Sequence, residues 1–348
     1  MGSLDSLSCK VPQDQLFNYL KDIGDGSIGK ETPDCSVTKY YHDDSINLVS
    51  TIDFFYPLVE DPYLQGRIGC ANVLSDIYAM GTARVDHMLM VLAVSLDMDA
   101  KEREVITREM IRGFNDTAEE AGTAITGGQS ILNPWPIIGG VANTVVKKDE
   151  FLVPNRAQVG DVIVLTKPLG TQIAVNLKEW KSKNNDKYKK ALKLRIVTSD
   201  DVEEINKVAI HSMGKLNKNA AGLVNKYKSG ACTDVTGFGI LGHLENLAEA
   251  QSSDGLELRI NKLPVLKNSD KIEESIMNFN LVKGYSAETS GGLMAFLKEK
   301  DVKDFQNELE VKYGEKSWVI GEVRERKEGN KATIAKDVEV IYADSVFC

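Results

Sequence analysis

"FLVPNRAQVGDVIVLTKPLGT", residues 151–171, decides how the chain divides. Pro154-Asn155-Arg156 has the punctuation of a linker, and "GDVIVLTKPLG" (160–170) then opens a new apolar strand and turn. The reading that follows is a boundary at 155/156, with an N-terminal unit over 1–155 and a C-terminal unit over 156–348. A length of 348 residues agrees with two domains at roughly one per 150 residues.

Upstream of the boundary, "VPQDQLFNYLKD" (11–22) reads as a short amphipathic helix and "GDGSIGKETPDCS" (24–36) as a Gly-rich loop. "SINLVSTIDFFYPLV" (45–59) is apolar on both faces and is expected to be a buried strand, with Asp53 near its end. "LQGRIGCANVLSDIYAMG" (64–81) reads as a helix stopped by Gly81, and "HMLMVLAVSL" (87–96) as a buried strand. Residues 100–121 form a long helix with Ile106, Met110, Phe114 and Ala118 on one stripe. "TAITGGQS" (123–130) and "IIGGVANTVV" (137–146) read as strand, glycine turn and strand. Downstream come two helices within 200–228, a helix around 301–313, and closing strands at 317–324 and 331–342. Alternating strands and helices without a fixed-period repeat give an α/β (α+β) class.

The composition removes several function classes. A net charge of −9 weighs against a nucleic-acid partner, which needs clustered Lys and Arg. Without an apolar run of 18 residues or a secretory signal pattern, the expectation is a cytoplasmic protein with no membrane partner. Five cysteines (9, 35, 70, 232 and 348) with no CxxC pair argue against a disulfide framework and a structural zinc site. The chain lacks GxxxxGK[ST], GxSxG and HExxH motifs, so a P-loop, an α/β-hydrolase and a zinc hydrolase are not indicated.

Four aspartates occupy expensive places. Asp34 lies in a Gly-rich loop, Asp53 ends an apolar strand, and Asp76 sits in an apolar helix four residues after Asn72. Asp234 heads "TDVTGFGILGHLENLAEA" (233–250). A buried charge must be paired, hydrogen-bonded or metal-bound. Each alone is open to a second reading as a helix cap or a turn residue. Together, with no obvious local Lys or Arg partner in the sequence, they point to a cluster of hard oxygen ligands of the kind Mg2+ takes. Gly127-Gly128-Gln129-Ser130 is a candidate phosphate cradle or a tight turn. Cys9-Lys10, in "SLSCK" (6–10), is either a thiol activated by its neighbour or an arbitrary terminal dipeptide.

Longer segments carry a family resemblance. "CKVPQD" (9–14), "DFFYPLVEDPY" (53–63), "GRIGCANVLSDIYAMG" (66–81), "EEAGTAITGGQSILNPW" (119–135), "GDVIVLTKPLGTQIAV" (160–175) and "ETSGGL" (288–293) resemble selenophosphate synthetase, that is selenide, water dikinase, in its animal-type branch. The resemblance implies a two-domain fold shared with aminoimidazole ribonucleotide synthase and a homodimer whose N-terminal domains form a β-barrel. It implies synthesis of selenophosphate, AMP and phosphate from ATP, selenide and water, with Mg2+ as cofactor and the product serving selenocysteine biosynthesis. It assigns Cys9 and Lys10 to catalysis, on a mobile arm over residues 1–15. It assigns Lys10, Thr32, Pro33, Asp34, Asp53, Asp76 and Gly127, Gly128, Gln129 and Ser130 to the nucleotide, and Asp34, Asp76 and Asp234 to the metal. Selenide users of the family carry Cys or selenocysteine two residues before the Cys-Lys pair. Here that position is Leu7, between Ser6 and Ser8. The alternative reading is a paralogue of the same fold that binds or slowly hydrolyses ATP and acts in regulation.

Overall fold

The computed structural model describes Gln15, Tyr19 and residues 34–343. Leu7, Cys9, Lys10, Thr32 and Pro33 lie outside the described residues, as does nearly all of the helix expected over 11–22; Gln15 and Tyr19 are helical.

The first half consists of β1 (Ser36–Tyr40), β2 (Asp43–Phe55), α1 (Pro62–Ala79), β3 (His87–Ser95), α2 (Ala100–Ala121), β4 (Ile125–Asn133) and β5 (Ile137–Lys147). Its sheet runs β1-β2-β5-β3-β4 and is antiparallel except between β3 and β4. The glycines of α1 and α2 explain why these helices cross so closely. A Cβ at Gly66 would stand 2.1 Å from the Met110 carbonyl oxygen, and one at Gly113 would stand 1.9 Å from that of Tyr63. Only two glycines allow the backbones to meet there.

The second half consists of β6 (Asp161–Leu165), α3 (Thr171–Ser182), α4 (Asp186–Lys193), α5 (Ser199–Gly214), α6 (Lys218–Lys226), β7 (Cys232–Asp234), α7 (Gly239–Ala250), β8 (Leu256–Val265), α8 (Ser269–Ser275), β9 (Leu293–Lys298), α9 (Glu299–Tyr313), β10 (Trp318–Glu325) and β11 (Ala332–Tyr342). Its sheet runs β11-β8-β10-β6-β9-β7, parallel only between β8 and β11. The unbroken apolar run of β6 fits its interior place in this sheet.

Helix α1 joins the halves. It packs on β2 and β5 of the first sheet and on α5, α6 and β7 of the second half. Ile68, Leu74, Ile77 and Tyr78 are all buried, as befits a helix apolar around most of its girth. Truncating Leu74 to Ala would cost roughly 2–5 kcal/mol through the cavity left behind.

Two expectations change. Strand β2 is covered on one face only: Val49, Thr51 and Phe55 are buried, whereas Leu48, Ile52 and Phe54 are exposed. Its apolar outer residues lie on an antiparallel sheet that the chain itself packs from one side. The glycine turn expected in "TAITGGQS" is instead the extended edge strand β4, which pairs with β3 through Gly127 and Gly128. The reason is close approach. A Cβ at Gly128 would fall 2.0 Å from the Met90 carbonyl oxygen, so glycine is required inside the strand and no turn follows from it. No helix among the described residues is long and apolar enough to cross a membrane. Cys35, Cys70 and Cys232 are buried, and none of them forms a disulfide among the described residues.

Candidate active site at the junction of the two halves

The site starts from two periodicities. On β2, Thr51 and Asp53 point to the same inner face, about 6.6 Å apart along the strand. On α1, Asn72 and Asp76 are one turn apart, a rise of about 6 Å. The two spacings match, and the residues pair off. The Thr51 hydroxyl donates to Asp76 Oδ2 at 2.5 Å, and Asn72 Nδ2 donates to Asp53 Oδ2 at 2.8 Å. The second half closes the group from the other side. Asp234 ends β7 and is buried, and the Thr233 hydroxyl donates to Asp34 Oδ1 at 2.9 Å, just before β1.

Asp34, Asp76 and Asp234 each present a carboxylate oxygen within 4.8 Å of the other two. Asp53 is electrostatically part of the same group. Burial first, then the charges of Asp234, Asp53 and Asp34, hold the Asp76 carboxyl well above its ordinary 3.8, while the Thr51 hydrogen bond opposes this. The Cys35 thiol is pushed up by burial and then by Asp76, Asp34, Asp234 and Asp53. The Cys232 thiol is raised in the same way by burial, Asp34 and Asp234. Three hard oxygen donors this close, repelling one another in a sheltered place, fit a small divalent cation, which takes carboxylates at about 2.1 Å. The donor set contains no thiolate or imidazole, so it does not favour a soft metal.

The GGQS segment lies apart from this group. Asp53 pairs with Gly140, Gly140 with Met90, and Met90 with Gly128, so all four stand in one row across the sheet. Three strand spacings separate Asp53 from Gly128, roughly 14 Å.

Sequence reasoning found the four aspartates but not what holds them. Thr51, Asn72 and Thr233 are neutral partners whose role emerges only when strand and helix meet. Two buried charges nearby also escaped notice. Lys167 is 4% exposed, and its Nζ donates to the main-chain oxygens of Lys215 at 2.6 Å and Ser290 at 2.8 Å. The carboxylate of Glu288, also 4% exposed, accepts from Gly170 N at 2.6 Å, from Thr171 N at 2.9 Å and from the Thr171 hydroxyl. The available signal was a lysine directly after the apolar run "VIVLT".

Residues 33–146 match the N-terminal domain of AIR synthase related proteins, and residues 158–332 match the C-terminal domain. The selenide, water dikinase of Trypanosoma brucei brucei is 44% identical over 97% of this chain and 88% of that protein. Selenide, water dikinase 2 of Mus musculus is 50% identical over 82% of this chain and 62% of that protein. A solved structure of AaThiL complexed with AMPPCP and TMP has the same fold, with a TM-score of 0.67 at 16% identity over 94% of each chain. The fold and the paired domains thus define an AIR synthase related protein. Within that class, the chain belongs to the selenide, water dikinase family.

Proposed function

We propose that this protein converts ATP, selenide and water into selenophosphate, AMP and phosphate, supplying activated selenium for selenocysteine. The observation that carries the reading is the meeting of Asp34, Asp76 and Asp234 where α1 joins the two halves. Family membership supports the substrate, and AaThiL, a protein of the same fold, was solved with the nucleotide analogue AMPPCP. Asp34, Asp76 and Asp234 would hold Mg2+, which when bound would neutralise charge on the nucleotide's phosphate oxygens.

The chain's own groups supply the rest. Lys10 donates to the ATP phosphates, and the arm over 1–15 closes to exclude water, bringing the Cys9 thiol to the site. Thr32, Pro33 and Asp53 contact the nucleotide near the carboxylates. Gly127, Gly128, Gln129 and Ser130 contact it farther along, offering main-chain N–H groups from an edge strand. The domains meet at 155/156. The protein acts in the cytoplasm as a homodimer, formed when the outer face carrying Leu48, Ile52, Phe54 and Val145 is covered by a second copy's N-terminal domain.

A second reading rests on Leu7, which carries no nucleophile where selenide users of the family carry a thiol or selenol. That reading is an ATP-binding paralogue with a regulatory role. Phosphorus NMR of the protein with ATP, Mg2+ and selenide separates the two. Selenophosphate formed together with AMP is the expected result. ATP consumption indifferent to selenide would establish the second reading instead.

A further inference from the structure

We propose that Lys167 is a positioning residue for Asp53, acting through the main chain of Ser290 and the side chain of Asn72. The path is continuous and each link is a hydrogen bond. Lys167 Nζ donates to Ser290 O at 2.8 Å. The Ser290 N–H donates to Asn72 Oδ1 at 2.8 Å, and Asn72 Nδ2 donates to Asp53 Oδ2 at 2.8 Å. Ser290 therefore faces Lys167 with its carbonyl and the first half of the chain with its N–H. Its φ of +46° is a conformation that a non-glycine residue keeps only when its surroundings hold it.

The surroundings are ordered for that purpose. Glu288 fastens one end of the segment to Gly170 and Thr171, and Leu293 N donates to the Thr166 hydroxyl at the other. Between them a Cβ at Gly292 would lie 2.3 Å from the main-chain nitrogen of Lys167, so the segment lies directly on the 166–171 turn. The ammonium also binds Lys215 O beyond α5, tying the turn to the helices that pack on α1.

The direction of the Asn72 amide is the functional point. With the Ser290 N–H opposite its oxygen, Asn72 must turn its NH2 toward Asp53. Without that donor the amide is free to rotate and present its oxygen, which would repel the carboxylate. A residue of the second half thus sets the orientation of a carboxylate on the first.

This inference rests on the reading of the acidic centre as a Mg2+–nucleotide site, and the test separates the two. Binding of AMPPCP with Mg2+ is measured by calorimetry on the full chain for wild type, Lys167→Met, Asn72→Ala and the double variant. Hydrogen exchange of the 288–293 amides is followed without ligand. Each single change is expected to weaken binding about tenfold, as losses beyond the first ligand shell do. The double variant should be no weaker than the worse single, because both cut one path. Lys167→Met should also speed exchange at Ser290. Unchanged affinity in Lys167→Met, or losses that multiply in the double variant, would overturn the proposal. Lys167→Gln, which keeps a polar head, replaces Lys167→Met in the cycle if the latter does not fold. If wild type binds no nucleotide, the reading of the centre fails. Exchange at Ser290 unchanged in the variant then refutes the Lys167 clamp as well, and faster exchange upholds it.

Discussion

Two groups of buried charge lie close together and are treated in opposite ways. In the acidic centre, Asp34, Asp53, Asp76 and Asp234 share one volume, and Thr51, Asn72 and Thr233 are neutral partners that leave like charges facing one another. Around the 166–171 turn, the ammonium of Lys167 and the carboxylate of Glu288 are each met by main-chain groups. The second group is complete within the chain. In the first, burial and the neighbouring charges hold the Asp76 carboxyl well above its ordinary value, an arrangement that suits the cation proposed for it.

The largest break in this contrast is Asp76→Ala. It should weaken Mg2+–ATP binding about a hundredfold or more, some 2.7 kcal/mol; calorimetry showing unchanged affinity would refute the metal assignment. Similar in size is the pH dependence of stability. Burial raises Glu288 to about 7, against hydrogen bonds from Thr171 and Gly170. A carboxyl raised on folding stabilises fully below its unfolded value and loses that contribution as pH rises through the folded one. For Glu288 the window runs from 4.5 to about 7 and is worth roughly 3 kcal/mol. Burial, then Lys215, lowers Lys167 to about 7, against Glu315 and Asp234. Its penalty is present below that value and is relieved as pH rises from about 7 to 10.5. Urea midpoints across pH should show Glu288→Gln flattening the lower arm. Identical profiles for variant and wild type would count against the assignment.

A smaller effect separates occupied from empty acidic centres. Asp76 is raised by burial and by its neighbours, so metal-free protein loses that contribution as pH rises above 3.8. The rise in melting temperature on adding Mg2+ should therefore grow with pH; a shift independent of pH would contradict it. The smallest expected effect is that of Thr51→Val. Losing one hydrogen bond to Asp76, about 1 kcal/mol, should weaken Mg2+ binding roughly fivefold in the same titration.

The same contrast explains what could be read in advance. Helices α1, α2 and α9 and strands β3, β10 and β11 follow from periodicity, and the 155/156 punctuation falls between β5 and β6. Strand β8 is harder to see because Asn261, Lys262 and Pro264 interrupt the alternation of Leu256, Leu258 and Ile260. Strand β1 is short and almost wholly exposed. The GG of β4 looks like a turn because the backbone it accommodates belongs to Met90, far away in sequence. The acidic cluster is legible because a carboxylate inside an apolar strand or helix is costly enough to stand out by its position in the sequence. Its hydroxyl and amide partners are not, since Thr and Asn are common in strands and helices for other reasons.

Thr51 and Asp53 on a strand, facing Asp76 and Asn72 on a helix, act as two rulers with nearly equal divisions. Their agreement restricts how the gene can change length. One residue inserted between Thr51 and Asp53 would turn one of them outward. One inserted between Asn72 and Asp76 would swing a carboxylate by about 100° around the helix. Residues 56–61, which join the two elements, divide neither ruler. Insertions that retain the acidic centre should therefore collect in that connection and be absent from the strand and the helix it joins.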